Sequence, residues 1–385
     1  MKFLLIYVPN LRFSNLDKLM KVRLGDICTI TGGYAFDSHK MTQKGDYQII
    51  KMGNLYNGIF DLSRNSSFIN APTKKELEYL IQENDILITL TGTTNKKDYG
   101  YTVQMEQPKN LLLNQRCALI RASKVNEKYL FYLLNSNDFL KQFYASSTGG
   151  TGNQTNVSIN DMLDFKVYIS NENDQSKISN ILNALDKKIL TQIKIIDDYN
   201  SLKMGIYNWM FKENCADYKL KQLANIVKGD QINNNQLLSN GTYYMMNGGT
   251  LPSGYLDSYN VSENTISISE GGNSCGYVQF NKERFWSGGH CYTIQNVNPL
   301  IVENKYLYHY LKHKEKEIMN LRIGTGLPNI QKKDLENFTI FVPNLLIQRK
   351  NLALFEMLDE KICILNEELE RLEKQKKYLL RNLFI

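Results

Sequence analysis

The sequence predicts an α+β protein built twice: two strand-rich mixed domains, each followed by a long helix, with the two helices pairing as an antiparallel coiled coil in an internal pseudo-two-fold repeat. Three observations carry this prediction. The run Glu127–Leu134 reappears as Asn304–Leu311. A constant offset of 173 then pairs Asn156 with Asn329, Phe165 with Phe338, Gln175 with Gln348, Leu185 with Leu358, Asp186 with Asp359 and Phe211 with Phe384. Upstream, Leu24, Gly33, Tyr47 and Gly53 fall opposite Leu220, Gly229, Tyr243 and Gly249 at an offset of 196. A period near 180 residues is too long for a solenoid and marks duplication of a whole domain.

The elements follow in order. After an N-terminal segment (1–20), residues 21–170 form the first domain. Its β-branched runs Tyr47–Met52 and Asp85–Leu90 are punctuated by Gly32-Gly33, Asn57-Gly58 and Thr91-Gly92, the turn chemistry of a sheet. Lys128–Phe143 has the spacing of one helix with a buried face. A spacer (171–213) contains a helix over Gln175–Phe211. Its seam steps by threes and fours through Ile178, Leu182, Leu185, Ile189, Ile196, Tyr199, Ile206 and Met210, interrupted by Gln192 and Lys203. The second domain (214–343) repeats the turn signals at Asn247-Gly248-Gly249, Gly271-Gly272 and Gly288-Gly289. The second spacer (344–385) holds a helix with the seam Phe355, Leu358, Ile362, Leu365, Leu369, Leu372, Leu379 and Leu383, broken at Lys376. Helix one leads from the first domain to the second, so a packed helix two must run back.

Composition narrows the class. With 385 residues and 42% hydrophobic content the chain can bury two ordinary cores. An excess of 46 basic over 39 acidic residues gives +7, which permits a polyanionic partner. The six cysteines lack paired metal-ligand spacing, which fits reduced thiols and no bound metal. The apolar run Phe3–Val8 is closed by Pro9, and no stretch approaches the roughly 20 apolar residues of a membrane span, so a cytoplasmic protein is expected. There is no phosphate-binding Gly-x-x-x-x-Gly-Lys loop, and no two of the seven prolines are adjacent, as an adenine methylase motif would require. His309 and His313 lie four apart without a second ligand cluster, and read as partly exposed helix positions. The chain is therefore expected to be no enzyme. Two similar heads on a helical spacer suit either the reading of two separated sites on DNA or a duplicated coiled-coil scaffold without DNA specificity.

The layout, with Pro9-Asn10-Leu11-Arg12-Phe13, Lys21-Val22-Arg23-Leu24-Gly25-Asp26-Ile27, Glu83-Asn84-Asp85-Ile86-Leu87 and the junctions Lys166–Ile178 and Thr339–Leu352, resembles the DNA specificity subunit of type I restriction-modification systems over essentially its whole length. The resemblance implies two target-recognition domains, each reading half of a split asymmetric site in double-stranded DNA. It also implies methylation subunits docked along the spacers, two being expected, and restriction or translocation subunits as further partners. No cofactor is expected in this chain; S-adenosylmethionine, ATP and Mg2+ belong to those partners. Where the family often begins each spacer with proline and Glu-Gln, this chain keeps Pro343, Gln175 and Gln348 but has Ser170 in place of the first proline and Asp174 and Ile347 in place of the glutamates.

DNA reading wants Lys and Arg at phosphates, and amides or Arg at base edges. In the first domain this selects Thr93, Thr94, Asn95, Lys96 and Lys97 after a strand, and Asn114, Gln115 and Arg116 before another. Thr148, Asn153 and Gln154 follow in a glycine-rich stretch. In the second domain it selects Asn247, Lys282, Arg284, His290, Thr325 and Asn329. A solvated hairpin loop remains the alternative for Thr93–Lys97, neutral drift for the divergence of Asn114–Arg116 from the segment of His290, and a flexible turn for Thr148–Gln154 and its counterpart at Thr325 and Asn329.

Overall fold

The computed structural model describes residues 19–149, 154–210, 215–324, 326 and 328–384. The N-terminal motif, Asn153, Phe211 and Thr325 lie outside the described residues. The chain forms two compact units: one extends to Ile193 and resumes at Glu368, the other is Lys194–Glu367. Both boundaries fall inside the long helices.

The first unit is organised on an antiparallel sheet with strand order Cys28–Gly32, Cys117–Ala122, Ile86–Thr89, Thr102–Gln104. Its central strand Ile86–Thr89 is buried throughout, and its alternation sends side chains into two cores. Ile86 and Ile88 meet Leu24, Ile120, Tyr129, Leu130, Phe139 and Phe143, whereas Leu87 joins Ile50, Leu55, Leu113 and Leu119. The single helix expected over Lys128–Phe143 is two, Glu127–Leu134 and Asn137–Ala145. The Ser136 hydroxyl caps the second by accepting from Phe139 N (3.3 Å), while the Asn135 amide donates to Phe131 O and Thr102 Oγ1 (both 2.7 Å). Local side-chain bonds thus replace the helical ladder at the break.

The second unit repeats this plan with the sheet Asn225–Lys228, Cys291–Gln295, Thr265–Ser269, Val278–Asn281. Ile266 and Ile268 enter its main core. On the alternate positions, Ser267 Oγ accepts from Asn281 Nδ2 (2.9 Å) and Ser269 Oγ donates to Gly248 O (2.7 Å). Those hydroxyls are buried but satisfied.

The long helices are Glu172–Met210 and Leu345–Leu383, 39 residues each. They start alike: the Asn171 side chain accepts from Asp174 N (2.9 Å), and that of Asn344 accepts from Ile347 N (3.0 Å). Gln175 accepts from Asn126 N and donates to Ser170 O, as Gln348 accepts from Glu303 N and donates to Pro343 O. Both glutamines are buried and clip each spacer helix to its own head.

Each unit contains an antiparallel helix pair. In the first, Asp186 meets Lys376 (2.6 Å) and Lys188 meets Glu368 (3.7 Å). In the second, Lys203 pairs with Asp359, and the Tyr207 and Phe355 rings lie 4.3 Å apart. Of the predicted seam residues, Ile178, Leu182, Leu185, Ile196, Phe355, Leu358, Leu365, Leu372 and Leu383 are buried, and Ile189, Tyr199, Ile206, Ile362, Leu369 and Leu379 are half-buried; the Met210 side chain lies outside those described.

The polar breaks in the seam are equivalent clasps. Asp186 accepts from Lys376 and from the Tyr132 hydroxyl (2.9 Å). Asp359 pairs with Lys203 and lies 3.8 Å from His309 Nδ1, which occupies the repeat position of Tyr132. The expectation of a partly exposed His309 is corrected: it is 5% exposed, and its Nδ1 lies 2.9 Å from the Tyr207 hydroxyl. Burial outweighs Asp359 and pushes His309 below the ordinary imidazole value, which keeps it neutral. His313 is half-buried. No group of three metal-ligating side chains occurs among the described residues.

Candidate nucleic-acid interface

In the first unit, strand direction brings three separate sequence segments to one end of the main sheet. Strand Ile86–Thr89 ends where Cys117–Ala122 begins, because Thr89 pairs with Cys117. Leu90 N then donates to Arg116 O (2.8 Å), and Leu90 O accepts from Val157 N (3.0 Å). Beyond this point Thr91–Thr93, Gln154–Asn156 and Thr148–Gly149 make a small antiparallel sheet. Thr93 lies opposite Gln154, and Thr148 opposite Asn156.

The following loop is built from within. Thr93 donates to Asp98 through its backbone N–H and hydroxyl (both 2.7 Å), and Asn95 takes the left-handed conformation (φ 62°). Partial burial pushes the Asp98 carboxyl up, but the Thr93 bonds and nearby Lys96 outweigh it, so its pKa lies below the ordinary value. Thr94, Asn95, Lys96 and Lys97 are exposed, and the Lys97 ammonium sits 5.2 Å from the Tyr144 ring centroid. Thr148 and Gln154 are exposed beside them. Asn114 is half-buried, with its side chain accepting from Gln115 N (2.9 Å), while Gln115 and Arg116 are exposed. Gly33 is pressed against this turn: a Cβ there would lie 2.0 Å from Asn114 O.

The second unit has the same backbone skeleton. Glu270 N donates to His290 O (2.9 Å), and Glu270 O accepts from Ile330 N (2.9 Å). Gly271 bridges Asn329 where the first unit pairs Thr91 with Asn156. Asn247 Oδ1 accepts from His290 N (3.0 Å), which joins two of the predicted residues. Asn329 and His290 are exposed. Lys282 and Arg284 lie elsewhere. They follow Asn281, which pairs with Thr265 at the opposite end of the sheet from Glu270. Arg284 is held there by Glu263 (2.7 Å) and the Tyr259 hydroxyl (3.1 Å).

Two contributors do not emerge from the sequence. Gln231 packs on Gly289, where a Cβ would meet its Oε1 at 2.5 Å, and so opens an amide-rich loop beside His290. The available signal was five amides in six positions, Gln231-Ile232-Asn233-Asn234-Asn235-Gln236. Glu270, at the repeat position of Leu90, gives no motif in one dimension.

The sequence model of the family described as "Type I restriction modification DNA specificity domain" matches residues 17–197 and 212–374. The chain belongs to this family. A protein named as a type I specificity subunit in Mycoplasma pneumoniae is 34% identical over 164 residues, 42% of each chain. The specificity subunit of a type I restriction enzyme from Methanocaldococcus jannaschii is 31% identical over 124 residues, 32% of this chain and 29% of that one. The chain thus spans less than half the length of these two relatives. A crystal structure of a type I restriction-modification S subunit from M. genitalium shares the fold, with a TM-score of 0.67 at 19% identity over 98% of this chain and 99% of that one. Each of the two matched segments contains one of the sheet ends. No helix among the described residues is long and apolar enough to cross a membrane.

Proposed function

We propose that the chain is the DNA-recognition subunit of a type I restriction-modification assembly, each unit presenting its sheet end to one half of a split, asymmetric site. One observation carries this reading. The two ends share their hydrogen-bond skeleton yet differ in side chains, with Leu90 against Glu270, Arg116 against His290, Thr91 against Gly271, and a longer connection in the first unit that carries the basic loop Thr94–Lys97. A common frame with divergent tips is what two readers of different half-sites need, whereas a scaffold without DNA specificity has no use for it. Lys96 and Lys97 supply phosphate contacts, and Gln154, Gln115 and Arg116 have the donor geometry for base edges.

The subunit performs no chemistry itself. Two methylation subunits carrying S-adenosylmethionine dock along the spacer helices, whose exposed apolar residues include Leu190 and Trp209 on one and Leu346 and Met357 on the other. Restriction subunits using ATP and Mg2+ join them, in the cytoplasm where the DNA is. The test is exchange of residues 21–165 for the matching segment of a relative. One half of the methylated site should change while the other persists; loss of both halves in a folded chimera would overturn the reading.

A further inference from the structure

Glu270 is an unusual group for a sheet end. Its side chain is only 10% exposed, in the backbone slot that holds Leu90 in the first unit. Taking a carboxylate out of water is costly unless it is paired and hydrogen-bonded. Here Oε1 accepts from Lys228 Nζ (2.6 Å) and from the Tyr292 hydroxyl (3.0 Å). Those two anchors fix the carboxylate and turn Oε2 towards His290, whose Nδ1 lies 3.6 Å away. That gap is just beyond hydrogen-bond range, and a small rotation of the imidazole, 58% exposed, closes it. The ring stands free because its neighbours are Gly288 and Gly289, which are packed against Asn247 and Gln231.

A carboxylate only accepts hydrogen bonds, so it selects the imidazole tautomer protonated at Nδ1 and leaves the Nε2 lone pair outward. We propose that Glu270 is a positioning residue that makes His290 a base-edge acceptor in the second unit, choosing a base whose exocyclic amino group faces the major groove, adenine N6 or cytosine N4. The inference rests on the DNA-reading function proposed above and names the chemistry of one position in one half-site. Leu90 cannot orient a side chain in this way, so the first unit has no counterpart.

The test is selection from random duplex DNA by the full chain assembled with its methylation subunits, at fixed salt. Wild type should enrich a split site with one adenine or cytosine that depends on His290. In Glu270→Gln, the amide oxygen takes over the bonds from Lys228 and Tyr292, so the NH2 faces the ring and forces Nδ1 to accept. Nε2 then donates, and preference at that position should switch to a base presenting an acceptor, by about five- to tenfold, the lower part of the range for a base-edge contact. Glu270→Leu should relax the position without switching it. His290→Ala, at an exposed site that folding does not need, should relax the same position. A role in packing alone would lower binding evenly and switch nothing. A wild-type split site with an unchanged profile in all three variants would overturn the inference alone; a wild type that selects no sequence would overturn the DNA-reading function together with it.

Discussion

Replacing Asp186 by Ala tests whether the breaks in the helical seam are clasps. Asp186 accepts from the Tyr132 hydroxyl (2.9 Å) and pairs with Lys376 (2.6 Å). Leaving a largely buried hydroxyl unpaired costs about 1–3 kcal/mol. The ion pair adds less, about 0.5–1 kcal/mol, because Lys376 keeps about a third of its side chain in water. The expected loss is therefore about 2–3 kcal/mol, against about 1 kcal/mol for Tyr132→Phe, which removes one hydrogen bond and leaves the ion pair intact. Replacing all three groups together, as Tyr132→Phe, Asp186→Leu and Lys376→Met, should recover most of the loss, since no polar group is then stranded. Urea titration read by pulsed hydrogen exchange, peptide by peptide, follows the first unit separately from the second. An Asp186→Ala protein with an unshifted midpoint, or a triple variant weaker than the single one, would refute the clasp.

Three other perturbations give distinct readouts. Removing both Lys96 and Lys97 should weaken DNA binding nearly evenly across sequences and reduce the salt slope by about 1 to 2, at about 0.9 for each phosphate no longer neutralised; an unchanged slope would return the loop to solvated surface. Because burial depresses His309 below the ordinary 6.5, the unfolded chain takes up its proton first, so stability of the second unit is full above that value and falls as pH drops below it. His309→Tyr, which copies Tyr132, should flatten that pH dependence in denaturation midpoints as pH falls from 6.5 to about 4, the span between the unfolded and folded values. Gly33→Ala should cost about 3 kcal/mol or more, since its Cβ would sit 2.0 Å from a backbone oxygen, whereas Gly149→Ala, with nothing within 4 Å, should stay within about 0.5 kcal/mol; equal midpoints would contradict the packing at the first sheet end.

The repeat and the seam were legible because both are periodic: a register of 173 and a spacing of threes and fours survive in one dimension. The helix break at Asn135-Ser136 was not, since the apolar pattern continues across it and only the Thr102 partner shows why the ladder stops. His309 looked exposed from its neighbours, yet Tyr207 and Phe355 from the helix pair cover it. At the candidate interface, three loops of the first unit could be chosen by residue type, but their meeting at one sheet end required strand direction. Lys282 and Arg284 met the same chemical criterion and lie at the other end. Glu270 was invisible because its meaning depends on Lys228, Tyr292 and His290, which approach it only across strands.

A subunit that chooses a DNA sequence for others to modify leaves its mark on the genome. Single-molecule sequencing of N6-methyladenine in cells with and without the gene tests it most directly. One split motif, methylated on adenine, should disappear when the gene is removed and return when it is restored. A methylation pattern indifferent to the gene, with its methylation subunits expressed, would contradict it.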